Sequence, residues 1–314
     1  MNWFKRLWWS AIMLGLAVAG VVAWTWEPDR QLGELVARWA PEPSRFVELD
    51  GMQVHIRDTG PHSDPNPILM LHGMSSSLHS FEGWQTRLQT QRRVISVDLP
   101  GFGLTGPSPQ GDYRIDVYTR FVLRLLDTLE IKRAVLVGNA LGGEVAWQTA
   151  LLAPDRVHKL VLIDADGYQP SVLSMPLAFQ FASMRGLRWV SERILPRPLI
   201  TSSLHSVFGQ DEKVTQERID RYLELSLRVG NRRALFQRMD QATWGESAPL
   251  IRQITQPTLV LWGERDQMIS PDLGARFCQD IPRCRLVSFP KLGHLPQEED
   301  PEVTVKALQT FLAN

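Results

Sequence analysis

The chain has 314 residues, enough for one large domain with a sizeable core, and its 44% hydrophobic and 22% charged residues are ordinary for a globular protein. Lys plus Arg equals Asp plus Glu at 34 each. That balance gives no footing for a nucleic-acid partner.

Residues 7–26 form an uncharged apolar run bracketed by Trp8, Trp9, Trp24 and Trp26. A helix of about twenty residues rises about 30 Å, the thickness of a bilayer's hydrocarbon core. Trp pairs at both ends match an interfacial aromatic belt. The run is therefore predicted to be a transmembrane helix. Lys5 and Arg6 precede it, and Glu27 and Asp29 follow it. Residues 1–6 are then expected in the cytoplasm, and the rest of the chain on the periplasmic (extracytoplasmic) side of the inner membrane. A cleaved signal peptide is the rival, with Ala17-Val18-Ala19 as its cleavage site. The apolar run continues past that site through Val21, Val22 and Trp24, which favours an anchor. A buried core helix is a third reading, weakened because nothing along the run makes a solvent face.

Residues 27–43 place Leu32, Leu35, Val36 and Trp39 at helical spacing, with Asp29, Arg30, Glu34 and Arg38 between them. An amphipathic juxtamembrane helix is predicted, ended by Pro41 and Pro43. Its apolar stripe could lie on lipid, on the domain or on a second copy of itself. The last case would make a homodimer through the transmembrane and juxtamembrane helices.

From Phe46 onward strands and helices alternate. A hairpin is predicted about Asp50-Gly51. Short apolar runs ending at Leu71, Val97, Val137 and Ile163 read as buried strands, as do later runs ending at Trp262 and Phe289, with amphipathic helices between them. Such a chain makes a mostly parallel, doubly wound sheet, placed at residues 44–167 and 255–314. Residues 168–254 carry helical patterns and no convincing strand, which reads as a helical lid. Cys278 and Cys284 sit at a helix end and the next strand start; pairing and free thiols are both open. No ligand cluster accompanies them, so neither a metal nor any cofactor is expected.

In an open parallel sheet ligands bind beyond the carboxyl ends of the strands. Those ends carry His72-Gly73-Met74, Asp98 with a glycine-rich loop, Gly138-Asn139-Ala140-Leu141-Gly142-Gly143, Glu264-Arg265-Asp266 and Gly293-His294. On this evidence the chain resembles the α/β-hydrolase superfamily, in its serine esterase and lipase branch, from about Phe46 to Asn314. The resemblance implies the order nucleophile, acid, histidine, which position 140, Asp266 and His294 fit. It implies His294 as general base, Asp266 as its orienting acid, and an oxyanion hole from the backbone N–H groups of Met74 and Leu141, with Gly73 beside the substrate. Asp164 or Asp166 could be the acid instead. Asp98 is expected to order its loop. His55, His62, His79, His158 and His205 are expected at the surface.

Position 140 is alanine, so the covalent step should be missing from this chain. Removing the serine of a triad costs turnover about a millionfold in the well-studied case of subtilisin. A deliberate Ser→Ala substitution and a natural pseudoenzyme both account for it; the retained base, acid and oxyanion loop favour the first. A lost Asp nucleophile, as in haloalkane dehalogenases or epoxide hydrolases, is disfavoured because Leu141 stands where those place Trp. With the anchor, the chain looks like membrane-bound monoacylglycerol lipases and bacterial inner-membrane phospholipase A enzymes. That likeness implies a lipid-ester substrate (phospholipid, lysophospholipid or monoacylglycerol), with Phe179 and Trp189 of the lid as acyl contacts. Small soluble esters or lactones are the alternative, and non-catalytic lipid binding is a third.

Overall fold

The structure is a computed structural model that describes residues 26–169 and 192–313 continuously, preceded by residues 3, 7–10, 12–13, 15–16 and 20. Eight strands form one sheet: β1 (Ser44–Leu49), β2 (Met52–Thr59), β3 (Ile68–Leu71), β4 (Val94–Val97), β5 (Ala134–Asn139), β6 (Val157–Ile163), β7 (Thr258–Gly263) and β8 (Cys284–Phe289). Their spatial order is β1-β2-β4-β3-β5-β6-β7-β8. β2 is antiparallel to both neighbours, and the rest are parallel. The hairpin turns at Asp50 and Gly51, both at positive φ (55° and 75°), which suits a tight two-residue connection.

Two apolar layers flank the sheet because strand residues alternate in direction. Leu69, Leu71, Val97, Leu136 and Leu162 point to one layer, which is closed by α3 (Ile115–Thr128), α4 (Leu141–Leu152) and α8 (Asp272–Asp280). Ile68, Met70, Val94, Val137 and Ile163 point to the other, closed by α2 (Glu82–Leu88) and α9 (Pro301–Leu312). Burial on both faces explains why these strands read as continuous apolar runs. Cys278 of α8 and Cys284 of β8 are joined by a disulfide.

Between β6 and β7 the described residues form helices α5 (Arg197–Val207), α6 (Gln216–Ser226) and α7 (Asn231–Asp240), as the helical pattern of that segment predicts. The amphipathic helix expected within residues 27–43 is α1 (Leu32–Trp39), and its stripe lies on the domain. Leu35 and Trp39 are buried against Leu104 and against Leu225 of α6. Trp39 Nε1 donates to Glu224 Oε2 at 2.7 Å, and Arg38 pairs with Asp220 and Glu224.

The apolar run 7–26 is described only in part, so most of the expected span lies outside the described residues. Residues 7–10, 12–13, 15–16 and 20 are helical. Among the described residues no helix is long and apolar enough to cross a membrane. Two of the histidines expected at the surface are buried. His55 is enclosed because β2 is an interior strand: Phe46 stacks on its ring and Asp98 receives its Nδ1 at 2.7 Å. His79 is enclosed by α1, its Nε2 lying 2.7 Å from the Trp39 carbonyl oxygen.

Candidate active site

Ala140 alone joins β5 to α4, and it turns the chain through φ 48° and ψ −116°, a conformation ordinary residues rarely hold. Three glycines let the backbones close around it. A Cβ on Gly138 would lie 2.1 Å from the Gly142 carbonyl oxygen, and a Cβ on Gly142 would lie 2.1 Å from that of Leu71. A Cβ on Gly143 would meet Ala165 at 2.5 Å. The elbow is pinned through its own backbone as well. Ala140 donates its N–H to the Ile163 carbonyl, and its carbonyl accepts from Glu144 and Asp166.

The loop after β3 packs against this turn: a Cβ on Gly73 would lie 3.3 Å from the Ala140 Cβ. Met74 follows on that loop, and Leu141 is the first residue of α4. The first N–H groups of a helix have no partner within it, and the helix dipole makes that end positive. Among the described residues no hydrogen bond takes up the N–H of Met74 or Leu141. His72 serves the loop rather than the chemistry. Its Nδ1 donates to the Gly73 carbonyl at 2.7 Å, its Nε2 accepts from Leu99 at 2.9 Å, and burial holds the ring below its ordinary pKa.

The sheet register sets Asn139 beside Ile163, and Ile163 beside Leu261. The residues after β5, β6 and β7 therefore meet at one edge. Asp266 follows β7 and His294 follows β8. His294 Nδ1 lies 2.8 Å from Asp266 Oδ2, with both residues buried. The other oxygen, Oδ1, accepts from the N–H groups of Met268 (2.7 Å) and Ile269 (3.0 Å). Burial opposes a charged imidazole, but the charge and hydrogen bond of Asp266, with Asp166 and Glu299 beyond, outweigh it and raise the His294 pKa. With Nδ1–H committed to Asp266, Nε2 is the atom free to take a proton.

Of the other groups here, sequence reasoning names Asp166 as an alternative acid but gives no role to Asn139, Glu144, Tyr222, Glu298 or Glu299. Asn139 donates to the carbonyls of Ile163 (3.1 Å) and His294 (3.0 Å), tying the histidine loop to the elbow. Glu299 accepts from Gly293 (2.7 Å) and Gly209 (2.9 Å), and burial pushes its carboxyl up to about 7. Tyr222 of α6 donates to Glu298 and lies 3.3 Å from Ser76 Oγ, so α6 touches both the segment after His294 and the loop after β3. Burial also raises Asp166 to about 6 and Glu144 to about 7, with Arg238 lying 3.6 Å from Glu144. The run Gln297-Glu298-Glu299, which begins three residues after His294, is a signal in the sequence, but spacing alone does not say what those carboxyls reach. Phe179 and Trp189 lie outside the described residues.

Residues 66–301 match the profile of the alpha/beta hydrolase fold family. The chain belongs to that family. This α/β-hydrolase is 30% identical over 287 residues to a 2-hydroxy-6-oxononadienedioate/2-hydroxy-6-oxononatrienedioate hydrolase of Burkholderia vietnamiensis, covering 86% of this chain and 95% of that protein. It is 27% identical over 284 residues to the uncharacterized hydrolase YugF of Bacillus subtilis, covering 87% and 99%. Among solved structures it is similar to a membrane phospholipase A described as a bacterial virulence factor, with a TM-score of 0.76, 24% identity and 98% of both chains covered. At that identity the likeness establishes the fold alone. A serine-to-alanine mutant of the meta-cleavage product hydrolase from Pseudomonas fluorescens gives a TM-score of 0.72 at 25% identity, covering 86% and 98%. The scaffold is that of a hydrolase.

Proposed function

We propose that this α/β-hydrolase is a membrane-anchored serine carboxylic-ester hydrolase for lipid esters, with a serine expected at position 140 and turnover absent from the chain as it stands. The observation that carries the reaction class is the His294–Asp266 hydrogen bond at 2.8 Å beside the strained elbow. With a hydroxyl on residue 140, His294 Nε2 takes its proton as the oxygen attacks the ester carbonyl. The N–H groups of Met74 and Leu141 receive the oxyanion, aided by the positive end of α4. His294 then returns the proton to the leaving alcohol, and water repeats the cycle on the acyl intermediate.

Lipid as substrate is supported by the apolar run at residues 7–26. Most of its described side chains are exposed, with Trp8 at 71%, Trp9 at 64% and Leu16 at 63%. In water each such surface is unfavourable by about 25 cal/mol per Å² of apolar area; in a bilayer it is not. The disulfide between Cys278 and Cys284 supports an oxidising, periplasmic location for the domain. The helical segment at 168–254 is the proposed lid, with Phe179 and Trp189 along the acyl path. Leu35 and Trp39 are taken up by the domain, so a homodimer is proposed through the transmembrane run.

A second reading, cleavage of small soluble acids or esters on a tether, is favoured by the names of relatives 27–30% identical. Ala140→Ser separates these readings. The variant should label with a fluorophosphonate, and the parent should not. Lysophospholipid and long-chain esters should be cleaved faster than acetate or butyrate esters; the reverse order selects the soluble-substrate reading. A folded Ala140→Ser protein that neither labels nor cleaves either class sinks the hydrolase reading and leaves a lipid-binding pseudoenzyme.

A further inference from the structure

Asp164 follows β6 directly, and it has no role in the mechanism above. Its φ is 41°, and it is completely buried. Its N–H donates to the Leu261 carbonyl, and its Oδ1 accepts from the Gly263 N–H at 2.9 Å. Its Oδ2 has no hydrogen-bond partner among heavy-atom donors. Carboxyl oxygens of Asp164 and Asp266 and a ring nitrogen of His294 all lie within 4.8 Å of one another.

Two buried carboxylates this close cannot both stay ionised. The donors decide where the charge rests. Asp266 receives the His294 ring and two backbone N–H groups. Asp164 receives a single backbone N–H. The negative charge therefore settles on Asp266 and the proton on Asp164 Oδ2, the atom without a donor. Burial first, then the charge of Asp266 and a hydrogen bond to it, with Glu299 behind, hold Asp164 well above the carboxylate range. The lone Oδ2 then becomes a donor, and its missing partner is Asp266.

We infer that Asp164 is a second acid of this site: it braces Asp266 through a shared hydrogen bond, and it holds the His294 ring in place of Asp266 when Asp266 is removed. This rests on the hydrolase reading for its consequence in catalysis, but not for its geometry. Asp164 is a positioning residue while Asp266 is present. Without Asp266 the repulsion that kept Asp164 neutral is gone. It can then ionise, and its carboxylate lies within 4.8 Å of a ring nitrogen of the imidazole.

The first test needs no activity. In the chain as it stands, the His294 ring is titrated by NMR with 13C-labelled histidine, in the parent, in Asp266→Ala and in Asp266→Ala/Asp164→Asn. Asp166 and Glu299 also act on this ring, and they are unchanged throughout the series. In the single variant the His294 pKa should stay near or above the ordinary value of about 6.5. In the double variant burial prevails, and the pKa should fall by about a further unit or more. Equal values in the two variants overturn the inference.

The second test uses the Ala140→Ser background. A triad acid with no substitute loses about 10⁴-fold in kcat when removed. Here Asp266→Ala should lose only about a hundredfold, and the added Asp164→Asn should bring the total to about 10⁴-fold. The brace is read separately. Asp164→Ala should lower kcat and leave KM in place. Asp164→Asn should recover most of that loss, because its amide keeps the Gly263 acceptor and supplies a donor to Asp266. Asn no better than Ala overturns the brace. If Ala140→Ser fails to label at all, the hydrolase reading falls while the titration still decides the role of Asp164.

Discussion

Asp98→Asn should be among the most damaging isosteric changes in the molecule. Asp98 is completely buried at the end of β4. Oδ1 accepts from the Leu78 N–H at 2.7 Å, and Oδ2 accepts from the Leu104 N–H and from His55 Nδ1, both at 2.7 Å. An asparagine can keep Leu78 through its oxygen, but its NH₂ then faces two donors. Flipping the amide restores those two and sacrifices Leu78. At least one buried donor is stranded either way, and every bond to the charge is weakened. Hydrogen bonds to charged groups contribute about 1.5–3 kcal/mol each, so a loss of about 3–5 kcal/mol is expected, the usual range for breaking a buried pair. Urea unfolding at pH 7 measures it. The pH dependence provides a further check. Burial alone would raise the Asp98 pKa, but the charge and hydrogen bond of His55, with His72 and His79, drive it far below the ordinary range. A depressed carboxyl contributes its stability above the unfolded value of about 3.9, and loses it as pH falls toward the folded value. The gap between parent and variant should therefore be constant near neutrality and shrink below about pH 4. A deficit under about 1 kcal/mol, or one that ignores acid, would refute this account of the loop.

Gly142→Ala should fail to reach the native packing, since its Cβ would stand 2.1 Å from the Leu71 carbonyl oxygen; overpacking of this kind costs about 1–3 kcal/mol or more, and a thermal melt equal to the parent's would count against the elbow geometry. In Ala140→Ser, kcat/KM should rise with pH through a midpoint above about 6.5, because the base works neutral and its pKa is raised. A midpoint at or below that value would remove Asp266 as the dominant partner. A periplasmic reporter fused after Asn314 should be active and a cytoplasmic one silent; the opposite result would overturn the proposed orientation.

The hairpin, the parallel strands and the strand-end residues were legible because they rest on local pattern: Asp50-Gly51, apolar runs of four to seven residues, and glycines around position 140. The roles given to Ala140, Asp266 and His294 come from the family resemblance, which local pattern alone does not supply. What stayed hidden depends on partners distant in sequence. His55 and His79 look like surface residues until Asp98 and Trp39, 43 and 40 positions away, close over them. The stripe of α1 offered three destinations, and Leu225 and Glu224, some 185 residues on, decided among them. Asp164 was seen only as a rival to Asp266. No spacing in the sequence says that the two carboxyls share one space.

From Trp26 onward the chain is held closely against the domain. Trp26 bridges to Ile194, Asp29 pairs with Arg232 at 2.6 Å, Arg30 exchanges backbone hydrogen bonds with Leu227 and Val229, and α1 then lies on α6. A flexible tether would let the domain roam through a hemisphere of solvent. Here residues 26–39 are instead bound to the domain itself. With the run in a bilayer, the quantity that governs encounter is the number of substrate molecules per unit area of membrane, not their number per unit volume. Adding inert lipid should slow such an enzyme at constant total substrate, and stirring or bulk viscosity should leave it indifferent.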